Sequence, residues 1–344
     1  MEGARGWWAK LARKTAKILL VALGILAAAL ITAWWMMIRM PGSSHQGPLP
    51  KLTPAEQALA EGLRRDVEAL AGAIGERHLD LPEKLEAAAK FIESSLAAEG
   101  LTVKRLPFAA EEQTATNLEV EWPGSATPDE VVVVGAHYDS APGTPGADDN
   151  ASGVAGLLAL ARGMKGQHPG RTLRLVAFAN EEPPYFQKEG MGSLAYAKAC
   201  QARGNRVVAM VSLEMVGAYQ DLEGSQQYPP PLSWFYPSRG DFLALVGNFD
   251  SRRLVHRTLS AFRRLAPFPS EGAALPGALP GIGWSDHWSF WQIDVPAIMA
   301  TDTAFFRNPR YHAASDTPDT LDYGRMARVV TGLQGMIAEL TDGE

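Results

Sequence analysis

The chain has 344 residues, 46% hydrophobic and 20% charged, with 33 Gly, 24 Pro and a single Cys, which excludes collagen-like, coiled-coil and wholly disordered classes. Cys200 alone excludes an intrachain disulfide framework. The first 50 residues carry six Lys/Arg and one acid, leaving 26 basic against 37 acidic residues beyond Pro50, a net charge of −11; so acidic a body is a poor match for a phosphate backbone, and no nucleic-acid partner is expected.

Residues 18–38 (ILLVALGILAAALITAWWMMI) are uncharged and apolar over roughly 31 Å of helix, about one hydrocarbon core. They predict an uncleaved single-pass transmembrane anchor rather than a signal peptide, because WWMMIRM holds no small-x-small cleavage site. Five basic residues precede the run and Arg39 alone follows it, so the positive-inside rule places the N-terminus in the cytoplasm and the rest outside, periplasmic or extracellular. Residues 1–17 then form a basic cytoplasmic tail, 39–50 a polar linker and 51–344 the folded body.

Thr53-Pro54-Ala55-Glu56 is a capping box opening a helix toward Gly75, and Leu85, Ala89, Ile92 and Leu96 mark a second helix ending at Gly100. Extended segments are expected at 102–107 and 116–122. The run 131–136 (VVVVGA) reads as a strand covered on both faces, a helix follows a Ser152 cap, and 173–179 is a second such strand, completing a βαβ unit. A helix at 194–203, a strand at 207–213, a helix capped by Asp250 over 251–264, a strand at 295–301 and a closing helix striped by Met326, Val329, Val330, Leu333, Met336, Ile337 and Leu340 continue the alternation. The pattern predicts an α/β fold, a three-layer αβα sandwich with a mostly parallel central sheet, preceded by one transmembrane helix. The Pro-rich stretch 228–237 reads as an excursion loop.

Ligands of open α/β sheets bind beyond the carboxyl ends of the strands. There the chain places His137-Tyr138-Asp139, then Gly146-Ala147-Asp148-Asp149-Asn150-Ala151-Ser152-Gly153, Glu181-Glu182, Glu214 and, on a later loop, Tyr311-His312. Alone, each has a plain structural use; Asp148-Asp149, for example, suits a helix N-terminus. Together, in chain order at strand ends, they gather carboxylates that repel one another unless cations neutralise them, and imidazole with carboxylate suits Zn²⁺.

These motifs resemble the co-catalytic dizinc exopeptidase family that includes bacterial leucyl aminopeptidase, aminopeptidase Y, glutamate carboxypeptidase and glutaminyl cyclase. The resemblance implies a zinc peptidase domain over 51–344 with two zinc ions per chain. Asp149 would bridge them, His137 and Glu214 completing one site and Glu182 and His312 the other. It implies Glu181 as general base, Asp139 as the partner that orients His137, and a cis peptide after Asp149. Many members have Asp where Glu214 stands. His287 in Ser285-Asp286-His287 is the rival to His312 as last ligand, and the family's motif order favours His312. The resemblance makes aminopeptidase action on peptides the default. The alternatives are a glutaminyl-cyclase-like single-zinc aminoacyltransferase, a carboxypeptidase using Arg239, Arg307 or Arg310 for a substrate carboxylate, and, least favoured, a non-catalytic binding ectodomain. Aromatics between Glu214 and His312, among them Tyr219, Tyr228, Trp234, Phe235, Tyr236, Trp284, Trp288, Phe290 and Trp291, suggest an apolar pocket wall or the underside of the Pro-rich loop.

Overall fold

Alternate residues of the 131–136 run serve different layers. Val132, Val134 and Ala136 pack into one hydrophobic core and Val131 and Val133 into another on the opposite face, the period-2 signature of a strand covered on both sides. The computed structural model describes residues 2–343, which divide into two units, one ending at Arg39 and one beginning at Met40.

The first unit is the helix α1 (Glu2–Met37). Its stretch Arg13–Met37 is the one helix among the described residues long and apolar enough to cross a membrane.

The second unit opens with α2 (Pro54–Val67), where Thr53 and Glu56 form the expected reciprocal cap; a π-helical stretch, Glu68–Ile74, carries it on to Gly75 at φ 79°. After α3 (Pro82–Ala97) come the strands β1 (Lys104–Ala110), β2 (Gln113–Trp122) and β3 (Thr127–His137), then α4 (Gly153–Gly163), β4 (Arg171–Phe178), α5 (Gly192–Ala202), β5 (Arg206–Glu214), β6 (Leu243–Gly247), α6 (Arg252–Leu265), β7 (Ser270–Ala274), α7 (His287–Trp291), β8 (Ala297–Thr301) and α8 (Tyr323–Asp342). The sheet order is β1-β2-β4-β3-β5-β8-β6-β7. Its four central strands, β4, β3, β5 and β8, run parallel; β2 joins β4 and β6 joins β8 antiparallel. Helices α2, α3, α4, α6 and α8 contribute to the core on one face, and α5 and α7 to the smaller core of Tyr196, Ala197, Cys200 and Phe290 on the other.

Strands β6 and β7 were not expected from the sequence, and two caps differ from expectation. Ser152 does not cap α4: its hydroxyl donates to the Asp148 carbonyl at 2.7 Å and accepts from Val216 N–H at 2.9 Å. At α6 the residue before the helix is Ser251, not Asp250, and its N–H is bound by Asn248 Oδ1 at 2.9 Å. The segment following Met40 lies on the body. Arg263 donates to the Pro41 carbonyl at 2.8 Å, and the Ser270 N–H at the free edge of the sheet donates to Ser44 Oγ at 2.9 Å, which covers part of an otherwise open strand.

Candidate active site

Sheet geometry brings the strand ends together. His137 ends β3, Glu214 ends β5, Glu181 and Glu182 follow β4, and Asp149 lies in the π-type turn Ala147–Ser152 that leads into α4. His312 arrives from the loop after β8 in the left-handed region, φ 54°. His137 Nε2 lies 3.2 Å from Asp149 Oδ1, 3.3 Å from Glu214 Oε2 and 3.9 Å from Glu181 Oε2. His312 Nε2 lies 3.2 Å from Asp149 Oδ2 and 3.1 Å from Glu182 Oε2. Asp149 therefore turns one oxygen to each imidazole.

Each of these side chains is held from behind. The Asp149-Asn150 peptide is cis. Asn150 Oδ1 accepts from the Gly153 and Met215 N–H groups at 3.1 Å, and its Nδ2 donates to the Leu213 carbonyl at 2.8 Å. The Asp148 and Asp149 N–H groups donate to the Asp316 carboxylate at 3.0 and 3.1 Å. Asp148, adjacent to the ligand candidate, accepts instead from Gly217 N–H and Asn308 Nδ2. Asp139 accepts from both the Glu181 and the Glu182 N–H at 3.1 Å, and its Oδ1 is 3.4 Å from His137 Nδ1. Ser285 Oγ donates to Glu214 Oε2 at 2.6 Å.

Beneath the cluster lies Arg77, fully buried. It donates to the carbonyls of Tyr138 (2.7 Å), Gly75 (3.1 Å), Pro145 (2.6 Å) and Gly146 (2.9 Å). Sequence reasoning missed Arg77, Ser285, Asn308 and Asp302, the last accepting from the Ala218 and Ala304 N–H groups at 2.8 and 2.9 Å; only Ser285, beside Asp286-His287, had a motif to mark it. His287 stands apart: its Nε2 is 2.7 Å from the Ile282 carbonyl, and burial holds its pKa down at about 4. Arg239 pairs with Glu223, and Arg307 is buried against Gln226 and the Ala218 carbonyl.

The electrostatics show how much charge is confined. Burial opposes the charged ring of His137, but Glu214 and Glu181 outweigh it and hold its pKa well above the ordinary value. At Asp149 burial is outweighed by the two imidazoles, and the carboxyl falls below its usual range. Burial lifts Glu181 well above its usual range, Glu182, Asp286 and Asp316 to about 7 and Asp302 to about 6. His137 with Asp149 and Glu214, Asp149 with Glu182 and His312, and His137 with Glu181 and Glu182 each bring ligand atoms within 4.8 Å of one another. Both ring nitrogens of His137, Asp149 Oδ1 and Glu182 Oε1 are buried without an aligned hydrogen-bond partner. Leaving such groups bare costs about 1–3 kcal/mol each, and this donor set fits a zinc ion.

A pH dependence follows for the chain stripped of metal by a chelator. A carboxyl whose pKa is raised by folding keeps its proton in the folded state, so stability falls as pH climbs from about 4, its unfolded value, to about 7. His312, raised to about 10 against burial by Asp149 and Glu182, contributes stability that is complete below about 6.5 and lost as pH rises through its folded value. Both signs agree. The chelated chain should melt at higher temperature at pH 5 than at pH 8; a melting temperature rising over that interval would contradict the burial of these groups.

A cavity of about 110 Å³ adjoins the cluster, its walls including Glu214 and Tyr311 together with Tyr228, Tyr236, Phe242 and Trp284. Tyr311 stacks on His312 at 3.8 Å. Of the other aromatics, Phe290 belongs to the smaller core and Trp291 packs against it, Tyr219 packs on Phe268, and Trp234 and Phe235 are exposed.

The sequence pattern of Peptidase family M28 matches residues 117–334. Over 285 residues the chain is 40% identical to the uncharacterized protein YfbL of Escherichia coli (strain K12), covering 80% of this chain and 87% of that one. It is 28% identical over 230 residues to a probable leucine aminopeptidase of Arthroderma otae, 63% of this chain and 55% of that protein. Among solved structures, the zinc aminopeptidase BSAP of Bacillus subtilis superposes with a TM-score of 0.66 at 15% identity over 86% of this chain and 97% of its own. A glutaminyl cyclase of Fimbriiglobus ruber superposes at 0.61 and 22% identity over 86% and 99%. At these identities the structural likeness is one of fold.

Proposed function

The chain belongs to peptidase family M28, and from that membership we propose that it is a zinc-dependent aminopeptidase that removes N-terminal residues from peptides. The observation that carries the reading is Asp149, one oxygen 3.2 Å from His137 and the other 3.2 Å from His312, the disposition a carboxylate bridging two cations needs. His137 and Glu214 would complete one site, Glu182 and His312 the other, giving two zinc ions per chain. Asp139 Oδ1, 3.4 Å from His137 Nδ1, is the carboxylate oxygen placed to orient that ring and would set its position and basicity.

Zinc held by these residues would lower the pKa of bound water toward about 7 and polarise the scissile carbonyl. Glu181 takes a proton from water and returns it to the leaving amine. Its burial favours the protonated form and so works against the pull of nearby cations on its pKa, and the Asp139 contact to its N–H holds its backbone in place. The apolar cavity beside Glu214 and Tyr311 favours an apolar side chain next to the scissile bond. We place the body outside the cytoplasm, tethered by α1 with its N-terminus inside, on the strength of the basic residues ahead of the apolar run.

Purified full-length chain should retain two zinc ions and release unblocked N-terminal residues in a chelator-sensitive way. One zinc with cyclisation of Gln-initiated peptides would move the chain to the transferase reading, and release from the C-terminus to a carboxypeptidase.

A further inference from the structure

The helix that carries the apolar run begins well before it. From Glu2 to Met37 α1 is continuous, so the residues ahead of Ile18 keep one helical register with the run itself. Among them stand Lys10, Arg13, Lys14 and Lys17, spaced i, i+3, i+4 and i+7. At about 100° per residue the four fall within an arc of roughly 100°, and each is exposed. Trp8, Leu11, Thr15 and Ala16, on the rest of the circumference, carry no charge.

No acid of the helix is spaced to answer them: after Glu2 the next acid in the sequence is Glu56, beyond the end of α1. Like charges three and four residues apart on a helix repel, so the stripe is unfavourable by itself. The positive-inside rule supplies no reason for it, because that rule counts Lys and Arg and is indifferent to helical angle; gathering on one face is what a bound anion requires. Depth narrows the choice of anion. In a helix that crosses near the bilayer normal with Ile18 at the edge of the hydrocarbon core, Lys17 borders the core, Lys14 and Arg13 lie roughly 6–8 Å farther out and Lys10 roughly 12 Å. The polar layer on each side of the core is about 5–8 Å deep, and the long stems of Lys and Arg carry their charges to it.

We propose that the face of α1 formed by Lys10, Arg13, Lys14 and Lys17 binds anionic phospholipid headgroups in the leaflet on the N-terminal side of the span. The proposal rests on the reading of residues 18–38 as a membrane span. Lipid phosphate oxygens at that depth accept charge-assisted hydrogen bonds from ammonium and guanidinium groups. A lipid of net negative charge is drawn to the stripe within a Debye length, whereas a zwitterionic one brings its own cation and is not selected. The helix thereby chooses its lipid neighbours by charge, and on one side only.

The test uses the full chain reconstituted in phosphatidylcholine vesicles that contain a trace of spin-labelled phosphatidylglycerol or of spin-labelled phosphatidylcholine, the immobilised share of the label being read by electron spin resonance. The parent chain should immobilise the phosphatidylglycerol label several-fold more than the phosphatidylcholine label, and the difference should shrink in 1 M salt, where the Debye length is about 3 Å. A rearranged chain, Arg13→Thr with Thr15→Arg and Lys14→Ala with Ala16→Lys, keeps the composition, the net charge and the number of basic residues ahead of the span but spreads them around the helix. It should lose most of the preference. Equal immobilisation of the two lipids by the parent, or an undiminished preference in the rearranged chain, overturns this proposal alone when the chains float with the vesicles. Chains that do not float overturn the membrane-span reading and this proposal with it.

Discussion

Glu181→Gln should lower turnover by about 10²–10⁴-fold while the zinc content stays as in the parent chain. The substitution keeps the shape of the side chain and the backbone N–H that Asp139 holds at 3.1 Å, and removes only the capacity to accept a proton. The proposed base stands farther from the imidazole than the proposed ligands. Glu181 Oε2 is 3.9 Å from His137 Nε2, whereas Asp149 and Glu214 approach the same nitrogen to 3.2 and 3.3 Å. Zinc counted by elemental analysis beside kcat decides the point: loss of metal together with activity would make Glu181 a ligand and return the base to another carboxylate, Glu182 being the nearest in the chain.

Arg77→Ala should destabilise the folded chain by about 3–5 kcal/mol, the usual cost of removing one partner from a buried charged network. Four carbonyls lose their donor, and Asp139, Asp316, Asp149 and Glu182 lose the cation whose charge they feel from beneath. Burial lowers the Arg77 pKa to about 10, so it remains charged at neutral pH. Arg77→Lys keeps the charge without the planar fork that reaches several carbonyls, and should recover only part of the loss. Denaturant midpoints of both variants measure it; a change below about 0.5 kcal/mol in Arg77→Ala, the range of ordinary surface substitutions, would contradict the role.

The strand ends of the candidate site were legible because their signals are local. Apolar runs named β3, β4 and β5, and the polar residues that break those runs are the ones that meet at the cluster. His312 was placed by resemblance rather than periodicity, since its loop carries no pattern of its own. Strand β6, LALVG, is too short for its apolar run to be told from a buried helix turn. Strand β7, SEGAA, has weak β propensity and is a strand because β6 beside it supplies the hydrogen bonds. Arg77 was invisible for another reason: a lone Arg between two helices reads as surface, and its partners lie 61 to 69 residues away, apart from Gly75.

Asp139 has one more effect. Its two oxygens hold the N–H groups of consecutive residues on the neighbouring strand's extension, and β3 and β4 are directly paired, His137 opposite Phe178. The offset between the imidazole and the Glu181–Glu182 pair is therefore set by the inter-strand spacing, about 4.8 Å in any sheet, and not by loop length. Insertions and exchanges in the surrounding loops can retune which peptides enter while this ruler stays fixed, so selectivity and chemistry are free to diverge independently.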